Sequence, residues 1–238
     1  MKNTHDIYST CEFSIVIPVV HEALIINTLI EHLYNQHYAQ DLEIIVVDGD
    51  PQGGTINALP RTDVRVIVSE PGRGRQMNAG AVIARGEFLV FLHADTHLPP
   101  NALSLIRRAL THRWYVAGVF DLGIRSQKFI FKIISSTASL RTRITKLPYG
   151  DQVFFMRRNY FNEIGGYREI PLMEDVELMQ RIKRRGDRIC ILSDRVLTSP
   201  RRWEREGIIY CTLRNWILVM LYLMGVSPHR LAHFFRST

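Results

Sequence analysis

From Phe13 the chain reads FSIVIP, an almost unbroken apolar run closed by a proline, and comparable runs return at Leu42–Asp48, Val64–Ser69 and Glu87–Leu92. Short runs rich in Val and Ile predict strands, and the first, second and fourth are apolar enough to be covered on both faces. Between them, apolar positions recur at helical spacing near Glu22–Gln36 and Arg75–Ala84. A third helix is predicted over Asn101–Leu110, behind the Pro99-Pro100 start signal. Strands alternating with helices predict βαβ units, hence an α/β domain with a mostly parallel central sheet flanked by helices.

After Thr111 the rhythm changes. YVAGVFDLGI, Tyr115–Ile124, reads as a strand, Gln127–Arg143 as a helix and Gln152–Met156 as another strand. A short helix ending at Gly165-Gly166 and a helix from about Glu174 to Arg185 follow. No repeat or low-complexity segment interrupts the chain, and no linker marks a second domain. The expectation is therefore one domain with two functional halves, 13–111 and 112–207, and a C-terminal apolar helix and tail over 208–238. The densest part of that tail, Trp216–Val226, is too short to span a bilayer, and Arg214 and Asn215 interrupt a longer reading. Burial in the core, a dimer contact and rest on a membrane surface all remain open for it.

Composition adds a direction. Of 238 residues 46% are hydrophobic, enough for a real core, and the formal charge of +7 points to an anionic partner. Nucleic acid, an acidic membrane and a phosphorylated small molecule all satisfy that charge. The three cysteines, Cys11, Cys190 and Cys211, are scattered, which suggests neither a disulfide framework nor a cysteine zinc site, and fits a reducing cytosol. MKNTHDIYSTCEF lacks the apolar stretch of an export signal, so a cytoplasmic protein is expected.

Candidate chemistry sits where the strands end, which is where open α/β sheets bind ligands. The run to Leu92 finishes in His93-Ala94-Asp95; a carboxylate past a buried strand can hold Mg²⁺ or Mn²⁺ together with substrate phosphates. Equally, Asp95 could cap the turn and His93 be an ordinary half-buried histidine. His97 makes HxDxH, a zinc pattern without its helical context. VVDGDPQGGT ends a strand in Asp48 before a glycine-rich loop, where the carboxylate could accept from a base or a sugar, or merely shape an Asx turn. EPGRGRQMNAG places Arg73 and Arg75 at a helix entrance suited to phosphate, or simply on a solvated turn. PLMEDVELMQRIKRRG opens a helix on Glu174-Asp175, favourable for the helix dipole and also a place for a general base. SPRRWEREG adds Arg201, Arg202, Trp203 and Arg205, an arginine and tryptophan mixture compatible with a phosphate clamp or with nucleic acid.

Taken in order, these motifs resemble the family 2 glycosyltransferases with the GT-A fold, from Phe13 to about Pro228. SIVIPVVHE resembles the opening strand and turn, VVDGDPQGGT the nucleotide-binding aspartate loop, GRGRQMNAG the diphosphate and ribose segment and LHADT the DxD motif. GDQVFFMRRNYFNEIGGY and MEDVEL resemble the acceptor-side strand and ED motif, and RRW a shortened QxxRW. The set VDG, RGRQMNAG, FLHADT, GDQ, PLMEDVE and RRW is similar, more narrowly, to a small bacterial subfamily associated with radical SAM and selenodomain proteins and with arsenosugar biosynthesis. The resemblance implies inverting transfer of a sugar from a nucleoside diphosphate to an acceptor hydroxyl. It implies Asp175 as base and Glu174 as the residue that orients the acceptor or the base. Pro18, Glu22, Asp48, Arg73, Arg75, Asn78, His93, Ala94, Asp95, Arg202 and Trp203 would bind the donor, and Asp151 the acceptor. Asp95 and His93 would hold Mg or Mn, His93 standing where the motif's first acid would be. The acceptor would be a small molecule or a lipid, with no nucleic acid and with membrane contact or homodimerisation left to the C-terminal helix. The rivals are nucleotidyl transfer on a related fold and a non-catalytic basic protein that binds membranes or nucleic acid.

Overall fold

The computed structural model describes residues 11–36 and 41–236. The export expectation rests largely on residues 1–10, outside that range. The described elements are β1 (Phe13–Val19), α1 (Ile26–Tyr34), β2 (Leu42–Asp48), β3 (Arg65–Val68), α2 (Arg73–Ile83), β4 (Phe88–Phe91), β5 (Thr96–His97) and α3 (Ala102–Thr111). Then come β6 (Ala117–Ile124), α4 (Phe129–Thr145), β7 (Phe154–Arg157), α5 (Arg158–Glu163), α6 (Glu174–Arg184), β8 (Ile189–Thr198), α7 (Arg201–Glu206), α8 (Ile208–Leu223) and α9 (Pro228–Arg236).

The strands form one sheet in the order β3-β2-β1-β4-β7-β6-β8-β5. Strands β3, β2, β1 and β4 are parallel neighbours, and β8 runs parallel to β6. Strand β7 is antiparallel to both β4 and β6, and β5 antiparallel to β8. Chain order reverses at β1, between β2 and β4, the point where such sheets open a crevice at their carboxyl ends. Because β7 runs backwards, the turn before it, Gly150–Gln152, emerges at that same rim.

Side-chain alternation sorts the sheet into two faces. Phe13, Ile15, Ile17 and Val19 of β1 pack with Ile26, Leu29, Ile30 and Leu33 of α1 and Leu103 and Ile106 of α3. Val16, with Ile45 and Val47 of β2, faces Met77 and Ala81 of α2 and Leu178, Met179 and Ile182 of α6. Helix α2 lies close on the sheet: a Cβ at Gly80 would stand 2.4 Å from Val16 Cγ1. Buried Gln76 donates through Nε2 to the carbonyls of Val19 and Val47, both at 2.8 Å, fastening α2 across the ends of β1 and β2.

The expected strands and helices mostly appear, with shifted ends. Helix α1 starts at Ile26 rather than near Glu22, because residues 22–25 turn, the Ile25 and Ile26 amides both returning to Glu22 O. Strand β7 begins at Phe154, two residues after Gln152, which belongs to a 3₁₀ turn ending at Val153 with φ 57°. Helix α8 carries apolar residues on both its inner and outer faces: Cys211 and Leu218 face inward, while a stripe through Ile209, Leu213, Trp216, Met220 and Met224 stays exposed. Neither a wholly buried helix nor a span results, since no helix among the described residues is long and apolar enough to cross a membrane.

Candidate functional site

At the end of β2 the Asp48 side chain is fully buried and turned into its own loop. Its carboxylate accepts from the amides of Asp50 and Thr55, each at 2.9 Å, and of Ile56 at 3.2 Å. The loop is thus wrapped on Asp48, and Asp50 stands further out, beside His21. Thr55 Oγ1 in turn accepts from the Glu22 amide at 3.1 Å, joining this loop to the turn after β1. His21, in that turn, has φ 57°.

Beyond β4, Asp95 meets an arginine from the far end of the chain. Arg201 Nε lies 3.4 Å from Asp95 Oδ2, and its two terminal nitrogens grip Glu22, Nη1 at 2.7 Å from Oε2. Arg201 therefore ties together the turn after β1, the end of β4 and the short helix α7. His93 packs over the Gly150 backbone, where an added Cβ would stand 3.1 Å from its Cε1 and 3.4 Å from Asp175 Oδ2. Burial, then the charge of Arg73, pushes the His93 imidazole down to about 3, so the ring is neutral and keeps a lone pair.

The acids on the other wall are held by backbone. Met173, at φ 69°, turns the chain into α6, and the Asp175 carboxylate receives the Gly150 amide at 2.5 Å and the Val176 amide at 2.7 Å. Burial raises Asp175, against those two N–H groups and Arg73. Glu174, 4% exposed and 3.9 Å from Arg73 Nη1, is driven up to about 7 by burial and by Asp175. The two acids differ in their surroundings: Asp175 accepts two backbone N–H groups, whereas Glu174 has only the more distant Arg73 as an ionic neighbour. Asp151, pushed to about 6 by burial, lies within electrostatic reach of both Asp175 and Asp95.

This asymmetry has a stability consequence. An acid whose folded-state pKa is raised favours the folded chain while protonated; that contribution is complete below about pH 4 and fades as pH climbs through about 7. Glu174→Gln is expected to stabilise the chain by about 1–2 kcal/mol at pH 8 and to change little at pH 4, read by urea unfolding at both values. Equal effects at the two values would contradict it.

The structure thus brings Glu22, Arg73, His93, Asp95, Asp151, Glu174 and Asp175 to one rim. Asp48 shares the rim, with its carboxylate consumed. Pro18 and Ala94 contribute backbone there, in β1 and between His93 and Asp95. Arg75 is drawn instead to Glu70 and to Glu169, at 3.0 Å. Asn78 uses both ends of its amide on the Tyr167 backbone, at 2.8 and 2.9 Å. Arg202 lies near Glu206, and Trp203 packs edge-on against Phe131. His97 stacks on His32 rather than joining His93, and among the described residues no three His, Cys, Asp or Glu side chains gather for a metal. Tyr149 and Arg141 carried no signal of their own; Gly150 and Tyr167 fell within the GDQ to GGY stretch, but their nearness to Glu174 and Asp175 comes from the fold. A groove at the opposite rim, lined by Arg107, Arg108, His112, Arg113 and Trp114, contains none of these acids.

The profile of the family described as "Glycosyl transferase family 2" matches residues 14–168. The dolichol-phosphate mannosyltransferase of Saccharomyces cerevisiae is 28% identical over 146 residues, 56% of this chain and 55% of its own length. A probable glycosyltransferase of Bacillus subtilis is 23% identical over 226 residues, 81% of this chain and 50% of its own. The chain thus spans about half the length of these curated relatives. Among solved structures, a mannosyltransferase of Pyrobaculum calidifontis in complex with GDP-Man and Mn²⁺ superposes with a TM-score of 0.61 at 20% identity, over 78% of this chain and 56% of that one. That likeness carries the fold, which is GT-A.

Proposed function

This chain belongs to glycosyl transferase family 2, and from that premise we propose that it moves a sugar from a nucleoside diphosphate to an acceptor hydroxyl with inversion at the anomeric carbon. The observation that carries the proposal is Asp175, fixed by the Gly150 and Val176 amides on the wall facing His93 and Asp95. A base must stand across from the leaving group for an in-line displacement, and the nearness of both His93 and Asp175 to Gly150 supports that arrangement. Family membership favours this over nucleotidyl transfer or a non-catalytic basic protein.

In this reading the carbon–oxygen bond to the diphosphate breaks as the acceptor oxygen attacks from the opposite face, and Asp175 takes the hydroxyl proton. Glu174, protonated near neutrality, donates to acceptor or base and keeps a second negative charge from the cleft. Asp151 orients the acceptor. Arg73 and Arg201 supply positive charge for the departing diphosphate. Arg75 would have to leave Glu70 and Glu169 to join them, and Asp48 serves the nucleoside by shaping the loop it touches. Asn78 supports the site by fixing Tyr167, while Arg202 and Trp203 line its α7 side.

Asp95 and His93 fit a divalent cation of the Mg²⁺ or Mn²⁺ kind. Such a cation takes one or two protein ligands and completes its shell with substrate phosphates and water, and a neutral His93 has the lone pair required. When bound, it would offset charge on the diphosphate. Asp95 would then exchange Arg201 for the cation, leaving Arg201 to Glu22 or to a phosphate.

The halves 13–111 and 112–207 correspond to donor and acceptor work in this reading, and a cytoplasmic, bacterial setting goes with it. The narrower placement, beside the arsenosugar-linked subfamily, is supported by the six motifs in order. The acceptor is a small molecule or a lipid. Thermal-shift screening of nucleotide sugars with and without Mn²⁺ tests the donor, since a tight ligand raises stability by mass action. Product analysis should find nucleoside diphosphate and an inverted glycoside; pyrophosphate would end the proposal. Gly150→Ala is expected to leave stability within about 1 kcal/mol of the parent. Turnover should fall by about tenfold as His93 and Asp175 are pushed apart, measured as kcat beside Tm.

A further inference from the structure

The acceptor wall holds a cation that the proposed reaction has not used. Arg141 lies on α4, next to Thr142, whose hydroxyl donates to Gln152 Oε1 at 2.6 Å and pins the helix to the Gly150–Gln152 turn. The Arg141 guanidinium carbon sits 3.4 Å from the centre of the Tyr149 ring, so the group lies directly over an aromatic face. Its Nε is buried without a hydrogen-bond partner. Among the described residues the guanidinium donates no hydrogen bond and has no carboxylate within 4.0 Å. Its neighbour Arg143 shows the ordinary alternative, resting 2.7 Å from Asp121.

A half-buried guanidinium without an acceptor is costly, and retaining it calls for an explanation. Asp151 adds a second orphan: its Oδ1 is buried with no donor, although Arg141 is the cation that acts on it most strongly. Asp151 approaches without closing an ion pair, so the half-buried guanidinium keeps donor capacity for an incoming oxyanion. The position fits the acceptor rather than the donor. Tyr149 and Asp151 both lie within electrostatic reach of Asp175, which places Arg141 behind the 149–152 turn on the wall of the proposed base; Arg73 reaches that wall at Glu174, and Arg201 stands by the strand ends at Asp95.

We propose that Arg141, levelled on Tyr149, is an anion subsite for a phosphate or carboxylate group carried by the acceptor, distinct from the diphosphate site. The assignment to the acceptor rests on the sugar-transfer reading; the anion subsite itself does not. It narrows the acceptor to a molecule with a hydroxyl to be glycosylated and an acidic group at a fixed distance from it.

The test uses the whole chain with phenyl phosphate and benzoate as probes, observed by saturation-transfer NMR in the presence of excess UDP or GDP. At least one anion is expected to bind with nucleotide present, and preference between the two identifies phosphate or carboxylate. Arg141→Gln should weaken that binding at least tenfold and Arg141→Lys at least threefold, with nucleotide affinity in the same samples unchanged. On the unaltered chain, phenylglyoxal labelling of Arg141, followed by peptide mass mapping, should slow when the anion is added; this reading does not depend on the variants folding. Neither anion binding, unchanged binding in Arg141→Gln, or an unaffected labelling rate would overturn the subsite. Anion binding without nucleotide binding would leave the subsite standing and remove the donor reading instead.

Discussion

Asp175→Asn is expected to lower kcat by about a hundredfold or more while leaving the affinity for the nucleotide donor close to that of the parent chain. Both carboxylate oxygens of Asp175 accept backbone N–H groups, from Gly150 at 2.5 Å and Val176 at 2.7 Å. An asparagine would have to point its NH₂ at one of them, so the variant loses the proton acceptor and also disturbs the turn before β7. Separating the two effects needs the donor side as a control. Calorimetry with nucleoside diphosphate should read the same affinity, because the strand-end residues are untouched. Turnover within a factor of a few of the parent would remove Asp175 from the chemistry.

Asp95→Ala is expected to abolish the gain in nucleotide affinity that Mn²⁺ or Mg²⁺ provides, a loss of at least about tenfold measured at saturating metal. The metal-free affinity should change less. Without Asp95, Arg201 keeps Glu22 as its partner and remains available to phosphate. Nucleotide binding titrated with and without metal, in both proteins, gives four affinities. If the parent chain binds equally well in all conditions, Asp95 is an arginine partner only and the cation has no place here.

The strands that build the donor rim were legible because their chemistry is written where the apolar run stops. Asp48 and the His93 to Asp95 segment follow continuous buried strands, and the change from apolar to acidic residues marks a strand end directly. Helix α6 was legible for a similar reason: Val176, Leu178, Met179 and Ile182 fix one face, which sends Glu174 and Asp175 to an end. Strand β8 escaped because Ser193 and Asp194 bulge out where Phe120 and Asp121 of β6 face Leu192 and Arg195, which breaks the alternation that would reveal it. Strand β5 is two residues long and exists through its pairing with β8. The side-chain partners were less accessible still. That Asp48 would spend its carboxylate on the loop, that Arg75 would turn to Glu169, and that Arg201 would reach Glu22 are long-range outcomes with no local pattern. Arg141 sits in mid-helix among polar and apolar neighbours, and only the position of Tyr149 gives it meaning.

The reversed direction of β7 also bears on how the protein is made. As the nascent chain leaves the ribosome, β1 to β4 can assemble first, but the flank of β4 finds its partner only when residues 154–157 have been synthesised. Until then Phe88–Phe91 presents an unpaired, fully apolar edge, the kind of surface on which chains pair with one another rather than with themselves. Truncation between α3 and β7 should therefore yield insoluble material rather than a separately folded donor half.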